Sequence, residues 1–260
     1  MSDACVERGG TPLLRNVGLR MQPGEVLAVI GPNGAGKSTL LQALSGALPL
    51  DAGEAALDGL PLRDWPRQAL ARRRAVLPQA SQLAFPFRVR DVVRLGRTPH
   101  AGHSDKRHDR RAAEAALAAT DLTHLAERVY TTLSGGERQR VQLARVLAQI
   151  QPVSAADGKA AARYMLLDEP TNNLDIAHQH SLMTTARRFA AQGNGVLAVL
   201  HDPNLAALHA DRVCVLDQGA IIAEGTPEAI FTEDLFARIF QVRTHILHHP
   251  ATGGPVMVPG

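Results

Sequence analysis

Two hundred and sixty residues, 45% hydrophobic and 20% charged, exclude a disordered or collagen-like chain and suffice to bury a core without disulfide or metal staples. Aromatics make up only 3% and the formal net charge is +3, so neither the stacking platforms nor the strong basic field of a nucleic-acid binder is present, and no nucleic-acid partner is expected. The two cysteines, Cys5 and Cys214, form no disulfide framework, and no apolar run approaches the ~20 residues that cross a bilayer, so the chain is expected to be neither secreted nor integral to a membrane.

The first strong element is Val26–Ile30, a wholly apolar run that ends at a glycine. Similar runs recur at 164–167, 196–200 and 213–216, and such segments read as strands buried on both faces of a largely parallel sheet. Between them, residues 38–48, 177–191 and 203–209 carry apolar residues at three- and four-residue spacing. Strands alternating with helices predict an α/β fold with a mainly parallel sheet covered by helices. From about Phe85 to residue 150 the pattern turns helical throughout, with helices predicted at 89–95, 110–119 and 137–149, so these residues read as a helical subdomain inserted into a core formed by 1–84 and 151–250. Residues 151–163 are small, polar and Pro/Gly-bearing and predict a surface loop. Helices are predicted to start at Thr226 and to run over 232–240, and residues 251–260, rich in Gly and Pro, predict a frayed tail.

Directly after the first apolar strand stands Gly31-Pro32-Asn33-Gly34-Ala35-Gly36-Lys37-Ser38, followed by Thr39. Glycines in a turn between strand and helix free backbone N–H groups to curl around phosphate oxygens. Lys37 can then neutralise phosphate charge, Ser38 can ligate Mg²⁺, and the helix N-terminus adds its dipole. A strand exit carries Asp168 and Glu169, one placed to hold a metal shell and the next to polarise an attacking water. Leu133-Ser134-Gly135-Gly136-Glu137 opens an amphipathic helix with a hydroxyl and free N–H groups, a second anion site or simply a capped helix start.

In order and approximate spacing, Gly31 to Ser38, Gln79, Ser134 to Glu137, Asp168 with Glu169, Asn172-Asn-Leu-Asp175 and His201 resemble an ATP-binding cassette (ABC) ATPase over roughly residues 6–240. The resemblance implies ATP and Mg²⁺ as ligands. It makes Gln79 a metal-sensing residue, Ser134 to Glu137 a loop that meets the γ-phosphate held by a second copy, Asp175 a contact across that dimer, and His201 a switch residue at the γ-phosphate. Residues 63–65, 70–79, 85–87, 92–97 and 99–100 resemble importers of iron chelates, haem and cobalamin, with 65–87 and 137–148 most similar to the ATP-binding subunits of haemin importers.

That likeness implies a homodimer on the cytoplasmic face of a bacterial inner membrane, bound to a transmembrane permease dimer and served indirectly by a periplasmic haemin-binding protein. A siderophore or cobalamin importer, or a soluble iron–sulfur assembly ATPase, is the alternative. Where the family carries an adenine-stacking aromatic, this chain has Arg8, whose guanidinium plane can stack on a base. His178, His180, His245, His248 and His249 read as solvated or packed rather than as haem or metal ligands. The exposed-looking Phe85 and Phe87 read as a partner site.

Overall fold

Alternation of buried and exposed side chains builds an antiparallel arm at the start of the chain. Strands β1 (Ser2–Arg8) and β2 (Thr11–Val17) turn through Gly9 and Gly10, and bury Ala4, Val6, Leu14 and Val17. Next comes β3 (Val26–Ile30), buried at every position, and α1 (Lys37–Leu44). Strand β4 (Ala52–Glu54) joins the arm beside β1, and β5 (Ala56–Leu57) with β6 (Leu60–Pro61) forms a small hairpin. Then follow α2 (Arg67–Arg73), β7 (Arg74–Leu77), α3 (Val89–Leu95), α4 (Lys106–Ala119) and α5 (Gly135–Ile150). The remainder runs β8 (Tyr164–Asp168), α6 (Ile176–Ala191), β9 (Gly195–Val199), α7 (Pro203–His209), β10 (Arg212–Asp217), β11 (Ala220–Gly225), α8 (Pro227–Ile230), α9 (Glu233–Leu235), β12 (Thr244–His248) and β13 (Pro255–Pro259). These elements come from a computed structural model, which describes residues 1–79, 83, 85–153, 161–172 and 174–260. Residues 154–160, the middle of the expected surface loop, lie outside the described residues.

The main sheet has the order β11-β10-β3-β9-β8-β7, parallel except for the β10–β11 pair. Its apolar runs are buried on both faces because helices cover both: α6 and the end of α5 pack on one side, α1 and the arm on the other. In-register pairing, with Leu77 beside Leu167 and Asp168 beside Val199, brings the C-terminal ends of β3, β7, β8 and β9 to one edge. The loops that carry Gly31 to Ser38, Gln79, Asp168 to Asp175 and His201 leave from that edge.

Helices α3, α4 and α5 share an apolar cluster that includes Val89, Val92, Val93, Ala113, Leu117, Val141 and Ala144. Two features lock them together. A Cβ built on Gly96, just after α3, would stand 2.3 Å from the Arg145 carbonyl oxygen, so the α3 end and the α5 backbone touch directly. Buried Arg97 then donates to the carbonyls of Ala148 (2.8 Å) and Gln151 (2.7 Å) and to Asp109 (2.9 Å).

Four boundaries differ from expectation for local reasons. Helix α1 stops at Leu44 rather than residue 48, because Gly46 takes φ +68° and its N–H turns back to the Ala43 carbonyl. Helix α4 begins at Lys106 because Asp105 caps it, accepting from the His108 N–H at 2.7 Å. The helix expected over 232–240 is instead the short α9, capped by Thr232, and a π-helical turn at Phe236–Phe240. The tail expected to fray is strand β13, paired along its length with β12. Its Met257 exchanges two hydrogen bonds with the Asn204 side chain (2.7 and 3.0 Å), while Met257 and Ile246 pack on the core.

Candidate functional site

The loop between β3 and α1 closes tightly on its neighbours. Gly31 (φ +156°) would place a Cβ 2.0 Å from the Leu216 carbonyl oxygen, and Gly36 (φ +102°) 2.7 Å from that of Leu13. Neither position admits a side chain, so Gly31 and Gly36 fix the path of the loop through Pro32, Asn33, Gly34 and Ala35. Lys37, 6% exposed, donates from Nζ to the carbonyls of Gly31 and Pro32, each at 2.8 Å. Burial pulls its pKa down, and the carboxylates of Glu169 and Asp168 oppose that shift. The ammonium therefore stands at the loop mouth, facing the two acids.

Ser38, in the first turn of α1 beside Thr39, donates from Oγ to Asp168 Oδ1 at 3.2 Å. Asp168 is 8% exposed, and burial pushes its carboxyl above the usual range against the Ser38 hydrogen bond. A hydroxyl and a carboxylate side by side, at a helix N-terminus, form an all-oxygen donor pair of the kind a hard divalent cation takes, so the residues present fit Mg²⁺.

Glu169 gathers residues from two other loops and one from its own. Its carboxylate accepts from Gln79 Nε2, from Asn172 Nδ2 at 2.6 Å, and meets His201 Nε2 at 2.8 Å. Glu169 leaves β8 at φ +47°, a left-handed conformation costly for a non-glycine residue, and this turn accompanies its contacts with Gln79 and His201. Gln79 follows β7 by two residues, and His201 stands two residues after β9. Asn172 belongs to this group, although its residue type, an amide in a Pro-Thr-Asn turn, gave no reason to place it there from spacing.

The remaining expected residues lie apart. Ser134 caps α5 in a reciprocal box: its Oγ accepts from Glu137 N–H at 3.2 Å, and its N–H donates to Glu137 Oε2 at 2.7 Å, which holds the Glu137 carboxyl below its ordinary pKa. Ser134 and Gly135 are exposed, and Gly136 lies under Leu174. Among the described residues, no hydrogen bond or ion pair joins 134–137 to the β3–α1 loop. Asp175 caps α6 and accepts from the His178 N–H and ring at 2.8 and 2.7 Å, which lowers its pKa. Arg8, at the tip of the β1–β2 hairpin, donates to its neighbour's carbonyl at 2.7 Å and stands 3.6 Å from Asp51.

Among the described residues, four of the five histidines set aside above have a local partner, His249 among them through the Ala251 N–H at 3.2 Å. His178 holds Asp175, His180 meets His209 at 3.1 Å, and His245 meets Glu233 at 3.2 Å. Among the described residues no group of three or more His, Cys, Asp or Glu is arranged to hold a metal ion, and no helix is long and apolar enough to cross a membrane.

Comparison with known proteins agrees with this geometry. Residues 14–172 match the ABC transporter family. The chain is 51% identical over 255 residues to the "Hemin import ATP-binding protein HmuV" of Myxococcus xanthus, covering 98% of this chain and 94% of that protein. It is 50% identical over 254 residues to the protein of the same name from Gloeobacter violaceus, covering 98% and 91%. Among solved structures, a metal-chelate type ABC transporter in an inward-facing conformation superposes with a TM-score of 0.79 at 27% identity, covering 100% of this chain and 95% of that one. A dimeric bacterial ABC transporter cassette gives 0.71 at 26% identity, covering 86% and 96%.

Proposed function

The chain belongs to the ABC transporter family and is an ATPase of it, and on that premise we propose that it is the energy-coupling subunit of a bacterial importer whose cargo is haemin. The observation that carries the catalytic part is the gathering of Gln79, Asn172 and His201 around Glu169 at the strand edge, beside the glycine loop. Haemin as cargo is supported by near-full-length identity of 51% and 50% to two haemin import subunits.

In this reading the N–H groups of 33–39 cradle the ATP phosphates, and Lys37 turns from the loop carbonyls to the β/γ-phosphates. Ser38 and Asp168, with Gln79, would hold Mg²⁺, which when bound would neutralise charge on the phosphate oxygens. Glu169 accepts the proton of the water that attacks the γ-phosphorus in line, as the bond from that phosphorus to the bridging oxygen breaks and ADP leaves. His201 and Gln79 orient that carboxylate and read the γ-phosphate, and Asn172 fixes its second oxygen. Arg8 supplies a flat cationic surface for adenine once it leaves Asp51.

Ser134 and Gly135 are exposed, and among the described residues no hydrogen bond or ion pair ties 134–137 to the β3–α1 loop of their own chain, which supports a second copy as the owner of the nucleotide they meet. Asp175, at the head of α6, belongs to the same contact. The helices of 85–150 form one subdomain that moves against a core of 1–84 and 151–250. A transmembrane permease dimer docks beside Gln79, holding the subunit as a peripheral protein on the cytoplasmic face of the inner membrane, and a periplasmic haemin-binding protein delivers cargo to its other side. Phe85 and Phe87, 69% and 40% exposed with ring centroids 6.2 Å apart, offer the apolar contact for it.

The test charges that contact. Phe85→Asp with Phe87→Asp should leave the ATPase rate of the isolated subunit within twofold, abolish its recovery with permease-containing membranes and stop haemin uptake by vesicles. Undiminished membrane recovery would remove the Phe pair from the docking role, and uptake of another iron chelate but not haemin would overturn the cargo.

A further inference from the structure

A cleft of about 690 Å³ opens at the end of the sheet opposite to Asp168 and Glu169, between the small β5–β6 hairpin and the main sheet. Met21, Leu44, Leu57, Leu62 and Leu166 give it an apolar wall, Arg20, Gln22 and Asp58 add polar groups at its sides, and Arg74 and Tyr164 are the first residues of β7 and β8. A concave site of this size, with an apolar wall and charged groups beside it, has the dimensions of a small-molecule pocket.

Arg74 is the unusual member. It is half-buried, its Nε is shut off from solvent, and among the described residues its guanidinium has no hydrogen bond or ion pair. Burial depresses its pKa, and the cleft's carboxylate, Asp58, is taken up by Arg73. The adjacent Arg73 shows the ordinary arrangement, paired with Asp58 and with the Ala162 carbonyl.

Nor does the nearby end of α1 satisfy Arg74. A Cβ on Gly46 would lie 3.8 Å from Arg74 Nη2, yet the carbonyls of Leu41, Gln42 and Ala43 accept backbone N–H groups and, among the described residues, Arg74 donates to none of that turn. A guanidinium that has lost much of its water without gaining an anion is a cost to the fold, and an anion from solution removes that cost.

We propose that this cleft binds a small organic anion, with a carboxylate or phosphate head on Arg74 and an apolar body against Met21, Leu57, Leu62 and Leu166. Tyr164 adds a phenol to the same wall. The site is separate from the nucleotide site but rests on the far ends of the same elements. Helix α1 ends here and begins at Lys37, β7 starts here and leads to Gln79, and β8 starts here and leads to Asp168.

Trp65, the single tryptophan of the chain, follows the turn at Leu62–Asp64, and the Arg73 guanidinium lies 5.6 Å from its ring, so its fluorescence reports on this region. The full-length protein would be titrated with decanoate, decyl phosphate and decanol, following Trp65 emission and the heat of binding. At least one anion should saturate a single site, the stronger of the two identifying the head group, while decanol binds at least tenfold more weakly. Arg74→Gln should weaken the anion at least tenfold and Arg74→Lys less, on the scale of a charged hydrogen bond.

Ala56→Glu, at an exposed position on the cleft wall, should also weaken it, and carries the test if Arg74→Gln does not fold. Absence of saturable binding for both anions at millimolar concentration, equal binding of decanol, or binding indifferent to Arg74→Gln or to Ala56→Glu would each overturn the proposal.

Discussion

Glu169 leaves a buried strand in a left-handed conformation, beside a second acid, with three side chains fixed on its carboxylate. A turn residue chosen for stability would be Gly or Asn, so this site keeps a carboxylate where the backbone disfavours one. Glu169→Gln retains the shape and the contacts with Gln79 and Asn172 but cannot take a proton. ATP affinity should stay within about threefold while steady-state hydrolysis falls at least about a hundredfold, as for loss of a general base. Hydrolysis near the wild-type rate would take Glu169 out of that role.

Asp168 makes a second prediction through its charge. A carboxyl whose pKa is raised on folding stabilises the fold when protonated, and that contribution is lost as pH rises through its folded pKa. At neutral pH the ionised, buried group is a cost. Without nucleotide or Mg²⁺, Asp168→Asn should therefore be more stable than wild type at pH 7 by about 1 kcal/mol, a few degrees in melting temperature, though hydrolysis is lost. The two proteins should converge as pH falls below about 4, the ordinary carboxylate range. A constant difference across that range would show that the gain does not come from ionisation.

At the scale of elements, α5 begins at a residue with two possible duties. Ser134 caps the helix, and in the proposed dimer its hydroxyl also faces the neighbour's nucleotide. Aspartate caps as well as serine does but carries a negative charge. Ser134→Asp should keep the melting temperature within about 2 °C, whereas Ser134→Ala should lower it by several degrees for a lost cap of about 1 kcal/mol. In ATP-driven dimerisation, read by size-exclusion chromatography of the Glu169→Gln background, the order should reverse, with the Asp variant the worse. Normal dimerisation of Ser134→Asp would leave Ser134 as a cap and nothing more.

Elements were legible where a residue's environment is the same on all sides. Strand β3 and helices α3 and α7 match their predicted spans because wholly apolar runs and clean helical periods leave one reading. Strands β1 and β2 were missed because bulges interrupt their alternation, and β7 because it opens on an arginine. The final hairpin was misread since its order comes from Asn204, some fifty residues earlier, and not from its own Gly, Pro and His content. The site divides in the same way. Gly31 to Ser38 announce themselves by local spacing, while the meeting of Gln79, Asn172 and His201 on Glu169 depends on the register of three parallel strands, which no local pattern encodes.

Across the whole molecule, the Gly96 contact decides how the helices move. Real Cβ atoms do not sit 2.3 Å from a carbonyl oxygen, so Gly96→Ala must push α3 away from α5. Such overpacking costs about 1–3 kcal/mol, and thermal melting should show it. With the contact opened, permease should stimulate hydrolysis less, while the basal rate stays within about twofold. Stimulation equal to wild type would mean that α3 and α5 need not touch for coupling.

With that contact intact, α3 and α5 form a crank with its pivot where Gly96 meets Arg145. One arm starts beside Phe87; the other, from Arg145 back to Ser134, is about 16 Å long. A tilt of about 10° would swing the tip of the long arm by about 3 Å, the length of a hydrogen bond. A push too small to deform any packed core is thus magnified by leverage into the difference between Ser134 touching a neighbour's phosphate and missing it, and the mechanical advantage is set by one residue having no side chain.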